Sequence, residues 1–341
     1  MKIAFFEVEP WEQETFRQLE QEHEVRYINE PLVEDNADEF SDYEVISVFI
    51  YSNLSKEILN KLKNLKFIAT RSTGFDHIDI DYCNENDIAV SNVPTYGETT
   101  VAEHVFGLIF TISHNLYEAV DRTRRGDFSL KGLRGFDVRG KTLGVIGTGN
   151  IGRCVIQTAR GLGINVLAFD VHPNPKVEAK ARVRYTDMDE LLAKSDIITL
   201  HVPGNPATEN MISEDEFDKM KKGAVLINTS RGNVIDVKAL VRALAEGKIS
   251  AVGLDVLPEE PVIKEEAQLL RSVYQEKYDL RSLLADSVLL RMRNVFITPH
   301  SAFNTKEAIQ RILKTTLENI QKFSKKEYIN IVTEKEKVRK Q

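Results

Sequence analysis

The sequence predicts an α/β protein with two domains, each built on a parallel sheet. Three observations carry that reading. The chain has 341 residues, more than the ~250–300 at which a single core stops growing. β-branched runs alternate with amphipathic helical stretches, the pattern of βαβ units. The alternation also runs twice, interrupted by a long apolar segment and a basic, glycine-bearing loop, RGFDVRGK (134–141).

In the first run, strands are expected at KIAFFEV (2–8), EVRYIN (24–29), YEVISVFI (43–50) and LKFIATRS (65–72). Helices are expected at WEQETFRQLEQEH (11–23) and SKEILNKLKN (55–64), the second capped by Ser55. From Thr99 to about Arg125 apolar residues lie nearly all round the first four turns, which predicts a helix buried on several sides. The second run offers six strands, at 142–147, 165–170, 196–203, 224–230, 251–256 and 294–300, with helices such as 189–195 and 236–248 between them. Six parallel strands complete a dinucleotide-domain sheet. A long helix over 305–323 and a charged tail follow.

Composition excludes several classes. A net charge of −7 argues against a general nucleic-acid binder or a basic membrane-surface protein. Two cysteines, Cys83 and Cys154, make neither a disulfide framework nor a metal spacing, and no metal is expected. MKIAFFEVEP turns acidic at once, unlike a signal peptide, and no apolar run approaches the ~18 residues of a membrane span. The expectation is a cytoplasmic protein.

VIGTGNIG places Gly147, Gly149 and Gly152 in G-x-G-x-x-G spacing after a strand and at the opening of a helix. Asp170 ends the next strand, roughly 20 residues further on, where an acid takes the ribose hydroxyls and repels a 2′-phosphate. Each glycine has a mechanical reason: the tight turn, the approach of backbone to pyrophosphate, and close packing of helix on strand. The expected cofactor is NAD.

Ligands of an open parallel sheet bind outside the carboxyl ends of its strands. Those ends offer Val202, Pro203, Ser230, Arg231, Asp255, Glu260 and His300. Arg231 alone is a structural cation, a partner for a nearby acid, or a bidentate carboxylate clamp. Glu260 alone reads as a loop acid, and His300 alone as a capping or core histidine. Together they supply what ketone reduction needs: Arg231 holds a carboxylate, His300 donates the proton, and Glu260 favours the charged ring.

RSTGFDHIDI (71–80), NVPTYGETTVAEH (92–104), VIGTGNIG, INTSRGNVID, GLDVLPEEP and ITPHSAFNT occur in one order along the chain. In this set the chain resembles the D-isomer-specific 2-hydroxyacid dehydrogenases, most closely their D-lactate dehydrogenase branch. The resemblance implies two Rossmann-like domains, a flavodoxin-like substrate domain and an NAD-binding one. It implies Arg231, Glu260 and His300 as the catalytic set. Thr73 and Gly74 amides would bind the substrate carboxylate, with Tyr51, Tyr96 and Phe303 beside Arg231 in the substrate site. Asn150, Ile151, Asp170, Val202, Pro203, Thr208, Thr229, Ser230 and Asp255 join the three glycines as cofactor contacts.

The resemblance also implies a discontinuous substrate domain, 1–100 with a returning helix at 301–331, around an NAD domain at 101–300, ahead of a tail at 332–341. The active site would lie in the cleft between the domains, and the helix after Thr99 would form much of a homodimer interface. Asn304 stands where the lactate branch often carries an aromatic residue, and the stretch 261–293 is long. Glu260, where formate dehydrogenases carry glutamine, argues against their chemistry. The expected reaction is reversible hydride transfer between NADH and pyruvate. Its rivals are a dehydrogenase for larger 2-oxo acids and an NAD-sensing regulator.

Overall fold

The computed structural model describes residues 1–175, 183–258 and 288–334. They divide into two compact units, Met1–Tyr96 with Thr305–Gln341, and Gly97–Asn304.

The first unit holds five parallel strands: β1 (Lys2–Phe5), β2 (Glu24–Tyr27), β3 (Val45–Val48), β4 (Phe67–Thr70) and β5 (Ala89–Ser91). Their order, β2-β1-β3-β4-β5, is that of flavodoxin-like sheets, with the reversal between β1 and β3. β3 and β4 are buried at every position, as a sheet covered on both faces requires. One covering layer comes from the far end of the chain. Leu313, Leu317 and Ile320 of the helix Lys306–Ser324 pack with Ile3, Phe5 and Phe67. Phe323 stacks on Phe67 at 4.3 Å between ring centroids. Thr305 caps that helix by accepting from Ala308 N.

The second unit carries β6 (Thr142–Ile146), β7 (Asn165–Phe169), β8 (Arg184–Tyr185), β9 (Ile197–Leu200), β10 (Ala224–Asn228), β11 (Ile249–Leu254) and β12 (Val295–Ile297). The sheet is seven-stranded and parallel, in the order β8-β7-β6-β9-β10-β11-β12. The order reverses between β6 and β9, the switch point of a dinucleotide fold. Both units are thus doubly wound α/β structures.

Four local expectations are corrected. The sheet gains β8, whose two residues are too few to show a period of two. The segment after Thr99 is two helices, Glu98–Ser113 and Leu116–Arg124, broken where Asn115 takes a φ of +50°. Only the first is buried on several sides; its neighbour buries none of its residues. Ser55 does precede a helix, Lys56–Lys61, but its hydroxyl donates to the Glu57 carboxylate instead of capping the backbone. The segment 11–23 is a single α-turn, Gln13–Phe16, continued as a 3₁₀ turn, Arg17–Gln21.

Candidate active site

At the switch point of the larger sheet, β6 runs into Gly147, whose φ of +91° lies in the left-handed region. A Cβ there would stand 2.3 Å from the His201 carbonyl oxygen, at the end of β9. At Gly152 it would lie 2.1 Å from the Gly147 carbonyl oxygen, so the first turn of the helix Asn150–Gly161 packs directly on its own strand. Gly149 differs: nothing lies within 4 Å of where its side chain would be. An open space therefore faces the positive end of a twelve-residue helix whose first amides have no partner within the helix. That cradle fits a pyrophosphate.

Asp170, just past β7, is bound into the same turn. Its Oδ2 accepts from Thr148 N (2.7 Å) and Thr148 Oγ1 (2.8 Å), and its Oδ1 from His172 N (2.8 Å). Tyr185 of β8 closes the group, its hydroxyl 2.8 Å from Thr148 Oγ1. Burial pushes the Asp170 carboxyl up, but these donors outweigh it and hold the group below the usual carboxylate range. The sequence marked Asp170 but not Thr148 or Tyr185. Thr148 occupies a free position of the glycine motif, and Tyr185 lies on the strand that periodicity missed.

Val202 and Pro203 follow β9, and Val202 packs against the core of this unit. The Pro203 carbonyl accepts from Thr208 Oγ1 at 2.6 Å. The Oγ1 of Thr229, just past β10, is buried with no hydrogen-bond partner among the described residues. A polar atom left so is a place for a ligand group.

After β10, Asn228 shapes the turn that presents Arg231. Its Oδ1 accepts from Ser230 N (3.0 Å) and Ser230 Oγ (2.7 Å), while its Nδ2 donates to the Arg231 carbonyl (2.9 Å). Gly232 lets this turn lie against residues 257–258: a Cβ would come within 2.2 Å of the Leu257 carbonyl carbon. The Arg231 side chain runs past Gly204, where a Cβ would sit 2.8 Å from Arg231 Cγ, and Nη1 donates to the Ser230 carbonyl at 2.9 Å.

Asp255, one residue beyond β11, is 1% exposed. Its carboxylate accepts from Ser301 N and Ala302 N, both at 2.9 Å, and from the Thr298 hydroxyl. His104 Nε2, from the helix Glu98–Ser113, stands 3.0 Å from Thr298 Oγ1 and 3.5 Å from Asp255 Oδ1. The turn so gripped carries His300, which takes a φ of +52° with its amide on the Asp255 carbonyl at 3.0 Å. A non-glycine residue in that region costs energy and persists where its surroundings over-determine it. The fold thus brings Arg231, Asp255 and His300 to the ends of three neighbouring strands, β10, β11 and β12. Phe303, half-buried, follows the same turn in the chain. Glu260 lies outside the described residues.

In the first unit, Thr73 and Gly74 follow β4. Thr73 Oγ1 donates to the Val93 carbonyl (2.7 Å), Ser72 Oγ to the Gly74 carbonyl (2.6 Å), and Asn92 Nδ2 to the Thr73 carbonyl (2.8 Å). Asn319 of the long last helix donates in turn to the Asn92 carbonyl (3.0 Å). With its carbonyls and hydroxyls so tied, the turn leaves Thr73 N and Gly74 N donating to no described residue. Tyr51, past β3, is half-exposed. The Tyr96 carbonyl accepts from Arg311 Nε at 2.7 Å. Among the described residues no cluster of His, Cys, Asp and Glu could hold a metal, and no helix is long and apolar enough to cross a membrane.

Comparison with known proteins agrees with this geometry. Residues 106–302 match the family model described as the NAD binding domain of D-isomer specific 2-hydroxyacid dehydrogenases. A 2-hydroxyacid dehydrogenase homolog of Haemophilus influenzae is 40% identical over 284 residues, 82% of each chain. The D-lactate dehydrogenase of Escherichia coli is 34% identical, covering 96% of this chain and 98% of that one. The crystal structure of the Aquifex aeolicus D-lactate dehydrogenase, complexed with NAD and lactic acid, superposes with a TM-score of 0.85 at 36% identity, covering 95% and 96%. With a cradle for pyrophosphate, an arginine and a histidine on strand ends that flank β11, and relatives matched nearly end to end, the chain belongs to the NAD-dependent D-isomer specific 2-hydroxyacid dehydrogenases.

Proposed function

We propose that this protein is a D-lactate dehydrogenase, interconverting pyruvate and D-lactate. The observation that carries the reading is the turn of His300, gripped by Asp255 of the intervening β11 end, one strand over from the end of β10 that presents Arg231. Bound NADH supplies the hydride for the substrate carbonyl carbon. Arg231 takes the substrate carboxylate on its planar fork, with the free Thr73 and Gly74 amides as further carboxylate donors. His300, as imidazolium, gives its proton to the carbonyl oxygen and takes it back in the oxidative direction. Glu260 stabilises the charged ring, and Tyr51, Tyr96 and Phe303 shape the space for the substrate side chain.

The amides at Gly149, Asn150 and Ile151 would hold the pyrophosphate, with Gly147 and Gly152 keeping the cradle in shape. Asp170 binds the adenosine ribose. Val202, Pro203, Thr208, Thr229 and Ser230 line the rest of the cofactor site, and Asp255 serves it by holding the His300 turn.

The deciding experiment is a kcat/KM series with NADH across pyruvate, 2-oxobutyrate, 2-oxoisocaproate, phenylpyruvate and hydroxypyruvate. Pyruvate should lead. A peak at the larger acids moves the assignment to a broader 2-hydroxyacid dehydrogenase, and turnover of none of them points to an NAD-sensing regulator.

Two further results follow from the roles. His300→Gln should cost about 10²–10⁴-fold in kcat in both directions while leaving the NADH Kd nearly unchanged. A glutamine variant that keeps most of the wild-type kcat would remove His300 from the proton-transfer role. Asp170→Ala should raise the NADPH/NADH preference, since a 2′-phosphate is no longer repelled. Both affinities should fall in absolute terms, because the same carboxylate holds Thr148 in the phosphate turn. Dissociation constants for the two cofactors read this directly, and an unchanged ratio removes Asp170 from the ribose.

We also place the protein in the cytoplasm as a homodimer. Its two cysteines are free, as a reducing compartment favours. Tyr117, Phe128 and Leu130 of the helix Leu116–Arg124 and the loop after it are 67%, 79% and 84% exposed. Exposed aromatic and leucine side chains on this segment suit a self-association face. A monomeric mass in light scattering would count against that.

A further inference from the structure

Glu7 sits two residues beyond the end of β1, at the switch point of the five-stranded sheet, and no motif in the sequence marks it. Its backbone takes a φ of +54°, in the left-handed region that a glutamate avoids. The side chain explains why the conformation is kept. Oε1 accepts from Tyr51 N at 2.6 Å; Oε2 accepts from Phe49 N at 2.9 Å and from Ser52 Oγ at 2.5 Å. One carboxylate thus gathers three donors from segment 49–52, which leaves the neighbouring strand β3.

The grip is anchored from both sides. Arg71, 2% exposed, donates from Nη2 to the carbonyls of Phe6 and Glu7, each at 2.6 Å, and from Nη1 to Ser47 Oγ at 3.1 Å. Ser52, fully buried, accepts from Leu32 N at 2.9 Å through the same Oγ that donates to Glu7. Between these fixed points the Tyr51 side chain remains 51% exposed and rests edge-on against Phe49, with ring centroids 6.3 Å apart. An open parallel sheet takes its ligand at this crevice. A large ring there, held by its own amide, is placed to meet the ligand.

We infer that Glu7 is a positioning residue for substrate selection: by fixing segment 49–52 it sets where the Tyr51 ring stands, and so which 2-oxo acid side chains are admitted. The inference rests on the proposed 2-oxo acid reduction. Glu7 itself does not touch substrate, since its carboxylate is taken up by the three loop donors. Charge-assisted hydrogen bonds of this kind are about twice as strong as neutral ones, which makes glutamate a tighter clamp than any uncharged acceptor of its size.

The test compares wild type, Glu7→Gln and Glu7→Ala on pyruvate and phenylpyruvate with NADH. Glutamine keeps the shape but turns an NH₂ toward one of the loop donors; alanine releases all three. The phenylpyruvate/pyruvate ratio of kcat/KM should rise at least about 10-fold, the scale of one lost charged hydrogen bond, chiefly through KM for pyruvate. The Kd for NADH should stay within about twofold, as a general loss of structure would not allow. In a Tyr51→Ala background the Glu7→Gln change should leave the ratio unmoved, because the ring it positions is gone.

Hydrogen exchange over residues 47–54 reads the clamp without any substrate and should quicken in Glu7→Gln. Wild-type turnover of the two acids is a separate check on the activity. Should wild type reduce neither acid, the activity and with it the selectivity role fall together. Should wild type turn over while the ratio, or exchange over 47–54, stays at its wild-type value in Glu7→Gln, the Glu7 inference alone is overturned.

Discussion

Replacing Arg231 by lysine should lower kcat/KM for pyruvate by about 10²-fold or more while leaving NADH affinity nearly unchanged. Lysine keeps the charge, but it is a single flexible ammonium where the site presents a planar fork. The arginine is prepared before any substrate arrives. Its stem runs over Gly204 and Nη1 rests on the Ser230 carbonyl. An oriented charged contact is worth up to ~3 kcal/mol, or roughly two powers of ten in rate. An ammonium on a narrower stem finds no such track past Gly204 and must be ordered by the substrate itself. Steady-state kinetics with a fluorescence titration of NADH checks the pair of expectations. A lysine variant with most of the wild-type turnover would make Arg231 a structural cation.

Asp255→Asn should be comparably damaging, for a different reason. The carboxylate accepts from two backbone amides and a hydroxyl at 1% exposure. Asparagine has one acceptor oxygen and must aim its NH₂ at Ser301 N or at Ala302 N, donor against donor. Each buried donor left unsatisfied costs ~1–3 kcal/mol. The strained His300 backbone depends on those same contacts. Expected are a kcat for pyruvate reduced by about 10²-fold, a Tm lowered by several degrees, and an NADH Kd changed little. A large rise in that Kd with kcat preserved would place Asp255 on the cofactor and not on the histidine turn.

Much of this was legible in the sequence because it rests on short-range rules. Glycines at 147, 149 and 152 announce a backbone path that side chains would block, and the structure blocks two of them with carbonyl oxygens. Buried parallel strands such as β3, β4, β9 and β10 read as continuous apolar runs. What stayed hidden depends on partners far apart in the chain. Glu7 meets Tyr51, and His104 meets Thr298, only once the topology is folded, and no spacing along the chain encodes either pair. β8 escaped because two residues carry no periodicity. The break at Asn115 escaped because apolar residues continue on both sides of it, and only a left-handed backbone reveals the end of one helix and the start of the next.

The first sheet takes a layer of its core from the other end of the chain, through Leu313, Leu317, Ile320 and Phe323, and Val332 N closes on the Val90 carbonyl at 2.9 Å. During synthesis, then, the first 96 residues leave the ribosome without a cover for Ile3, Phe5 and Phe67. They must wait until about two hundred more have been added, whereas every described strand of the second sheet lies within residues 97–304. A nascent chain stalled short of residue 305 would carry a finished nucleotide-binding half beside a sheet with one bare apolar face, a species suited to chaperone capture and to aggregation.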